Sequence, residues 1–213
     1  MNIKEKWMKN KWLGCLPVLM GLGLAQWADA ETLMPLQVTV DQTVLRYSLP
    51  DTWYDNTEES SLEVAELVLK ARPNEAVAIH RRYYDPDSHM VVGVLAMPIE
   101  AKYKNRSDAV LNQLMIQTQL PNTSNRTYHS SRVTELAGKP AQIMEFSDKK
   151  IIGSASVFSK MRALMQIRGG WQYLISIGVT GQLTEQTQLE HEYQQQDKKM
   201  QQYLSTVDFG TMP

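Results

Sequence analysis

The chain has 213 residues, of which 43% are hydrophobic and 21% are charged, and its formal net charge is -1. These fractions are ordinary for a globular protein, so the composition excludes a largely disordered chain. The near-neutral charge provides no basic surplus that would drive electrostatic binding to nucleic acid. A single cysteine excludes an internal disulfide framework and a zinc-finger cluster.

Residues 1–30 have the pattern of an export signal. Lysines dominate residues 1–11, an uncharged apolar stretch follows over residues 13–25, and Ala28-Asp29-Ala30 has the small-x-small form of a cleavage site. A retained membrane anchor is the alternative, but a spanning helix needs about 20 apolar residues. We therefore predict a signal peptide that is cleaved after Ala30, and a periplasmic or secreted single domain over residues 31–213.

The one cysteine, Cys15, lies inside this segment and raises the question of lipid attachment. The preceding residues 12–14 loosely resemble a lipobox, but most of the apolar core follows Cys15 instead of preceding it. We interpret it as an apolar residue of the signal. The exported domain then has no cysteine and depends on its core for stability, which favours a bacterial periplasm. Three glycosylation sequons matter only in a eukaryotic source; they begin at Asn105, Asn122 and Asn125.

The first half of the domain contains strand patterns around one helical segment. Alternating apolar residues predict strands at 36–40 and 44–49. The capping-box spacing of Ser60 and Glu63 predicts a helix that ends at Pro73. The next segment, around residues 76–84, fits a strand, with a helix as the alternative.

A continuous apolar run over residues 90–97 predicts a central strand after a turn at residues 85–88. A second helix is predicted to begin at Ser107-Asp108, because serine caps helices and aspartate favours the positive end of the helix dipole. Pro121 marks its exit. Its apolar stripe is predicted to comprise Val110, Leu111, Leu114 and Met115.

The second half is dominated by consecutive strands and one long polar helix. Gly169-Gly170 between two apolar segments is the plainest hairpin signal, and Tyr173, Ile175 and Ile177 share one face of the strand after it. Strands are predicted at 132–137, 141–146, 151–158, 163–167 and 171–179, with further turns at 138–140 and 148–150. The helix is predicted from Thr184, with a stripe of Leu189, Tyr193, Met200, Leu204 and Val207 and a polar gap at Gln196.

This order of elements predicts an α+β fold. Consecutive strands with short turns form a largely antiparallel sheet, and the helices cover it as an α/β/α sandwich.

Four short motifs in sequence order resemble the PsbP/DcrB-like domain family. They are the strand and turn of residues 47–53 with the pattern YSLPDxW, the helix that begins at Ser107-Asp108 and ends at Leu120-Pro121, the GKPA hairpin of residues 138–141, and the closing SxxDF segment of residues 205–209. The resemblance spans about residues 44–209 and implies an α/β/α sandwich. It also implies a non-catalytic function, such as assembly or partner binding in the envelope. It implies no catalytic residue and no cofactor. The export signal makes the DcrB-like envelope members the nearest comparison.

Catalytic and metal-binding motifs are weak in this sequence. The four histidines, at positions 80, 89, 129 and 191, form neither an HxxxH nor an HExxH pattern. His80 and His89 flank the turn at 85–88, but a metal site needs three or four converging ligands. No GxSxG motif is present, so a hydrolase is a minor hypothesis.

Two aromatic and basic segments are the best candidates for a binding surface. They contain Trp53, Tyr54, Arg81, Arg82, Tyr83 and Tyr84, and tryptophan, tyrosine and arginine are the residue types that anchor protein interfaces. Core packing of Trp53 and an amphipathic edge strand are the structural alternatives.

Three functional hypotheses follow from these observations. In the first, the protein binds or helps assemble another envelope protein through these anchors; a solid core with Trp53 or Tyr83 exposed would favour it. In the second, it is a chaperone or carrier that shelters an apolar helix or small ligand, and a pocket lined by Met, Val and Leu would favour it. In the third, a buried Ser-His-acid cluster would indicate a hydrolase.

Overall fold

The computed structural model describes residues 31–58, 79–118 and 121–211. Compact units divide the chain into residues 1–31 and residues 32–213, and the fold below belongs to the second. The predicted signal peptide and the predicted helix between Ser60 and Pro73 lie outside the described residues. Within the described part of the chain, no helix is long and apolar enough to cross a membrane.

Two antiparallel sheets form the body of the fold. The small sheet has the order β1-β2-β10, and the large sheet has the order β3-β4-β5-β9-β8-β7-β6. Every strand pairing in the described part of the chain is antiparallel. The strands are β1 (Leu33–Val40), β2 (Thr43–Pro50), β3 (Tyr54–Asp55), β4 (Ile79–Tyr84), β5 (Met90–Pro98), β6 (Arg126–Leu136), β7 (Lys139–Ile152), β8 (Ala155–Arg168), β9 (Trp171–Gln182) and β10 (Asp208–Thr211).

Three α-helices lie wholly within the described residues: α1 (Asp108–Gln117), α2 (Gln186–Gln195) and α3 (Asp197–Ser205). The first begins as predicted, because the Ser107 side chain accepts a hydrogen bond from the Val110 amide. Arg162 on β8 donates to Asp197 at 2.7 Å, which attaches the start of α3 to the large sheet. These elements confirm the predicted α+β class.

The main core lies on the face of the large sheet that α2 and α3 cover. Val94 and Val92 on β5 lie opposite Ile175 and Ile177 on β9, and all four are buried. Because side chains alternate along a strand, the predicted shared face of Tyr173, Ile175 and Ile177 is confirmed. Helix residues complete this core from above; they include Leu189, Tyr193, Met200 and Tyr203.

The opposite, second face of the large sheet has its own apolar clusters. Val91, Phe146, Met161 and Ala163 form one cluster across three strands, β5, β7 and β8. At one end of this face, Leu111 of α1 packs with Ile99 and Ile167 in another.

The predicted α1 stripe is only partly correct. Leu111 is buried and Met115 packs beside it, whereas Val110 and Leu114 are exposed. The reason is Asn112, which is fully buried and directs the helix through hydrogen bonds to Ile167.

The predicted turn at residues 148–150 is wrong, since these residues lie inside β7. The Asp148 carboxylate is buried and accepts two hydrogen bonds from Arg126 on the neighbouring strand. A charged segment therefore continues as a strand, because a cross-strand partner compensates its carboxylate. The chain turns instead at Gly153, whose φ is +59°, so the predicted strand over 151–158 is divided between β7 and β8.

The hairpin between β6 and β7 is also tighter than predicted. Its turn residues are Ala137 and Gly138, with φ of +47° and +71°, and Lys139 and Pro140 already belong to β7. Two positive φ angles match the twist of a two-residue hairpin turn. The buried side-chain amide of Gln166 donates toward carbonyl groups on both sides of this turn; these belong to Leu136, Lys139 and Pro140.

The long C-terminal helix is divided at Gln196 into α2 and α3. The predicted stripe is otherwise largely buried, with Leu204 partly exposed and Val207 following the helix. Tyr203 also belongs to the buried face, and its ring packs edge-on against Trp53 with centroids 5.6 Å apart.

Candidate functional site

The aromatic and basic residues that the sequence singled out do not share one surface. Trp53 and Tyr83 are buried in the main core, with 8% and 7% of their surface exposed. Tyr54, Arg81 and Tyr84 are exposed at the edge formed by β3 and β4, and Arg82 is half-buried. Strand alternation separates them, because Arg81 and Tyr83 extend from the core face of β4 while Arg82 and Tyr84 extend from the second face.

Tyr83 has a structural partner in the core. Its hydroxyl lies 3.0 Å from the hydroxyl of Tyr47, and the two rings meet edge-on. Burial raises the pKa of both phenols above the ordinary value. The pair thus stays protonated and joins β2 to β4 as a buried polar contact.

A cavity of about 1230 Å³ lies on the second face of the large sheet. The cavity is broad and open to solvent on one side, and its volume exceeds the range of about 300–1,000 Å³ that is usual for small-molecule sites. Its apolar lining comes from five strands, so no single segment of the sequence contains it. The apolar side chains that line it include Val91, Leu95, Tyr128, Phe146, Val157, Met161 and Leu174.

The floor of the cavity is low because small residues meet there. Gly93 on β5 lies opposite Ser176 on β9, and both line the cavity. Larger side chains stand on the same face two residues away, at Val91, Leu95 and Leu174. The missing side-chain volume at the centre therefore forms a depression between apolar walls.

One side of the cavity has a charged rim made of Arg126, Asp148 and Lys150. The Arg126 guanidinium donates from Nε and Nη2 to the two carboxylate oxygens of Asp148, both at 2.6 Å. Lys150 Nζ lies 3.4 Å from the same carboxylate. The guanidinium also lies 4.6 Å above the Phe146 ring. The hydrogen bonds to Asp148 raise the pKa of Arg126, and the pair is a fixed charged group beside the apolar wall.

His80 and Arg82 line the cavity from β4. Burial lowers the pKa of His80, and the charges of Arg82 and Arg81 lower it further. His80 is therefore neutral at neutral pH. Its buried Nδ1 has no hydrogen-bond partner among the described residues.

The described histidines are dispersed. His89 Nδ1 lies 2.7 Å from Glu192 and attaches the β4–β5 turn to α2. His129 Nε2 lies 3.0 Å from Ser147 Oγ at an exposed position, which is not the buried cluster that a hydrolase would need. In the described ranges, no three histidine, cysteine or acidic residues are placed to hold a metal ion.

Apart from Arg82 and His80, which the sequence singled out for other roles, the cavity residues were not predicted. Val91, Leu95 and Leu174 read as ordinary strand residues, and Gly93 and Ser176 interrupt apolar runs. A small residue within each of two apolar strands is the one signal that could have been noticed, because glycine in a strand often marks a close approach or a bend.

No family model and no curated protein matches this chain. Among solved structures, the chain is similar to the Ran-binding protein Mog1p of Saccharomyces cerevisiae, with 9% identity and a TM-score of 0.45, over 85% of this chain and 96% of that one. It is also similar to LpqN of Mycobacterium tuberculosis, described as involved in cell envelope biogenesis, with 12% identity and a TM-score of 0.36, over 85% and 92% of the two chains. The fold class rests on the strand pairing itself, and the DcrB-like assignment remains a prediction.

Proposed function

We propose that this chain is a non-catalytic binding protein of the cell envelope that receives an apolar group of its ligand in the cavity on the second face of the large sheet. The observation that carries the proposal is the cavity of about 1230 Å³ with its floor at Gly93 and Ser176. A large apolar concavity with a few fixed polar groups is the usual form of a ligand site.

The cavity favours the second sequence hypothesis, a chaperone or carrier, over the first, binding of an envelope protein through aromatic and basic anchors. A pocket lined by Met, Val and Leu was the feature expected of a carrier, and Met161, Val91 and Leu174 line the cavity. Buried Trp53 and Tyr83 lack the exposure that the anchor hypothesis required. The envelope location follows from the predicted signal peptide.

A second candidate function is docking of an envelope protein at the β3–β4 edge. It is favoured by the exposure of Tyr54 and Tyr84, whose surfaces are 64% and 37% exposed. Tyrosine side chains of this kind anchor protein interfaces.

The cavity is tested by filling it. Ser176→Phe places an aromatic ring over the floor, and Ser130→Phe makes the same change at an exposed position of β6. We expect the full chain to bind the neutral fluorescent probe N-phenyl-1-naphthylamine saturably at a 1:1 ratio. Ser176→Phe is expected to weaken this binding at least about tenfold, because the ring occupies the site.

Leu95→Trp is a second filling variant for the case in which Ser176→Phe lowers the melting temperature. Ser130→Phe, and Tyr84→Ala at the β3–β4 edge, are expected to bind the probe as the parent chain does. Absence of saturable binding to the parent chain, or equal binding by folded Ser176→Phe and Leu95→Trp, would contradict the proposal.

A further inference from the structure

The cavity carries a charge opposite in sign to that of the whole chain. Among the described residues, its charged lining residues are Arg82, Arg126, Lys150 and Asp148, and the rim of Arg126, Lys150 and Asp148 has a formal surplus of one positive charge. The full sequence has a formal net charge of -1. A surplus of one sign in a concave apolar site attracts ligands of the other sign, because the low-dielectric walls focus the field.

The cations of the rim keep donors for a ligand. A guanidinium has five N–H groups, and Arg126 directs three of them at Asp148 and the Tyr128 hydroxyl. The side chains of Arg126 and Lys150 are 38% and 42% exposed, whereas that of Asp148 is 6% exposed. The buried carboxylate thus positions two cations whose outer faces remain accessible.

The apolar wall continues directly from this rim. Arg126 lies over the ring of Phe146, and Phe146 packs with Val91 and Met161. A ligand that contacts the two cations therefore also lies beside the apolar side chains of this wall. This arrangement suits an amphiphile better than a uniformly polar or uniformly apolar ligand.

The width of the depression favours a hydrocarbon chain over a helix. Val91 and Leu95 flank Gly93 on β5, and their Cα atoms are about 13 Å apart along the strand. The side chains of Val91 and Leu95 occupy part of that distance, so the depression between them is narrower than about 13 Å. An α-helix with its side chains is about 10–12 Å across and is therefore too wide for it. From Ser176 to the Arg126 rim is about 20 Å, which is four residues along the strand and three strands across.

We propose that the ligand is a single-chain amphiphile with an anionic head, whose hydrocarbon chain lies over Gly93 and Ser176 and whose head contacts Arg126 and Lys150. This inference rests on the proposed function. The recognised chemistry is that of a long-chain carboxylate.

The test compares three head groups on one chain length. Hexadecanoate, 1-hexadecanol and hexadecylamine, each below its aggregation concentration, compete with N-phenyl-1-naphthylamine for the full chain. We expect hexadecanoate to displace the probe at about one tenth of the concentration that the alcohol requires, because a charged hydrogen bond adds to the same apolar contact. The amine is expected to be the weakest competitor.

Lys150→Gln removes one rim cation, and Lys149→Gln is the matched control, because the adjacent side chain points to the opposite face of β7. We expect Lys150→Gln to weaken hexadecanoate about fivefold and to leave hexadecanol unchanged. Lys149→Gln is expected to change neither competitor.

The outcomes separate this inference from the proposed function. Equal competition by hexadecanoate and hexadecanol, or stronger competition by the amine, would overturn the anionic class while the apolar site stands. If the probe binds saturably and none of the three amphiphiles displaces it, the amphiphile inference is overturned, and a protein segment becomes the expected occupant. No probe binding at all would overturn both.

Discussion

Replacing Gly178 with alanine is expected to destabilise the protein by about 3 kcal/mol, because there is no room for a methyl group at this position. Gly178 lies in the middle of β9, opposite Val91 on one side and Met161 on the other. A Cβ atom there would overlap the carbonyl oxygen of Lys160 and lie 2.8 Å from the Met161 Cα. Both are backbone atoms of a central strand, so relief requires β8 to move away from β9.

Gly93→Ala is the matched control on the neighbouring strand. Among the described residues, its new methyl group would meet only the Ser176 hydroxyl, at 3.0 Å, and a serine side chain can rotate away. We expect urea unfolding to show a loss of about 1 kcal/mol or less for this variant. Equal midpoints for Gly178→Ala and Gly93→Ala would contradict the tight approach of β8 and β9.

Asn112→Ala is expected to cost about 3 kcal/mol of unfolding free energy. The Asn112 amide donates to the Ile167 carbonyl at 2.9 Å and accepts from the Ile167 amide at 2.8 Å, in a fully buried position. The β7–β8 pairing ends at Met165, so Asn112 takes the place of a strand partner for Ile167. Its removal leaves two buried backbone groups unpaired, and each such group costs about 1–3 kcal/mol.

Gln113→Ala is the control, since the adjacent side chain of α1 is exposed. We expect it to change the stability by less than about 0.5 kcal/mol. Hydrogen exchange gives a second readout, in which Asn112→Ala accelerates exchange of the Ile167 amide. An unchanged unfolding midpoint and unchanged exchange would show that α1 is held by its apolar contacts alone.

The parts of the fold that the sequence predicts well are governed by local rules. The Gly169-Gly170 hairpin and the alternation of Tyr173, Ile175 and Ile177 need only a turn signal and the period of a strand. The Ser107 cap predicts the start of α1 for the same reason.

The errors occur where a distant residue overrides a local signal. The residue type of Asp148 predicts a turn. The residue lies in a strand instead, because Arg126, 22 positions away, forms an ion pair with it inside the sheet. The exposed side of α1 differs from its apolar pattern because Asn112 bonds to Ile167, which is 55 positions away. Such partners are visible only after the strands are in register.

The candidate site shows the same limit. Residue type identifies Trp53 and Tyr83 as interface anchors, but burial by α3 and β2 makes them core residues. The cavity arises because Gly93 and Ser176 lie opposite each other, a pairing of positions that are 83 residues apart. No local sequence motif predicts that these two positions lie opposite each other.

The proposed function requires that the second face of the large sheet holds a ligand. Its most direct test is the spectrum of the full chain labelled with ¹³C in the methionine methyl groups, recorded during titration with hexadecanoate. Met161 lines the cavity, whereas Met200 is fully buried in the core beneath the helices. We predict that the Met161 methyl resonance shifts saturably and shows contacts to the ligand chain while that of Met200 stays in place. An unmoved Met161 resonance, or equal shifts of both, would contradict the claim.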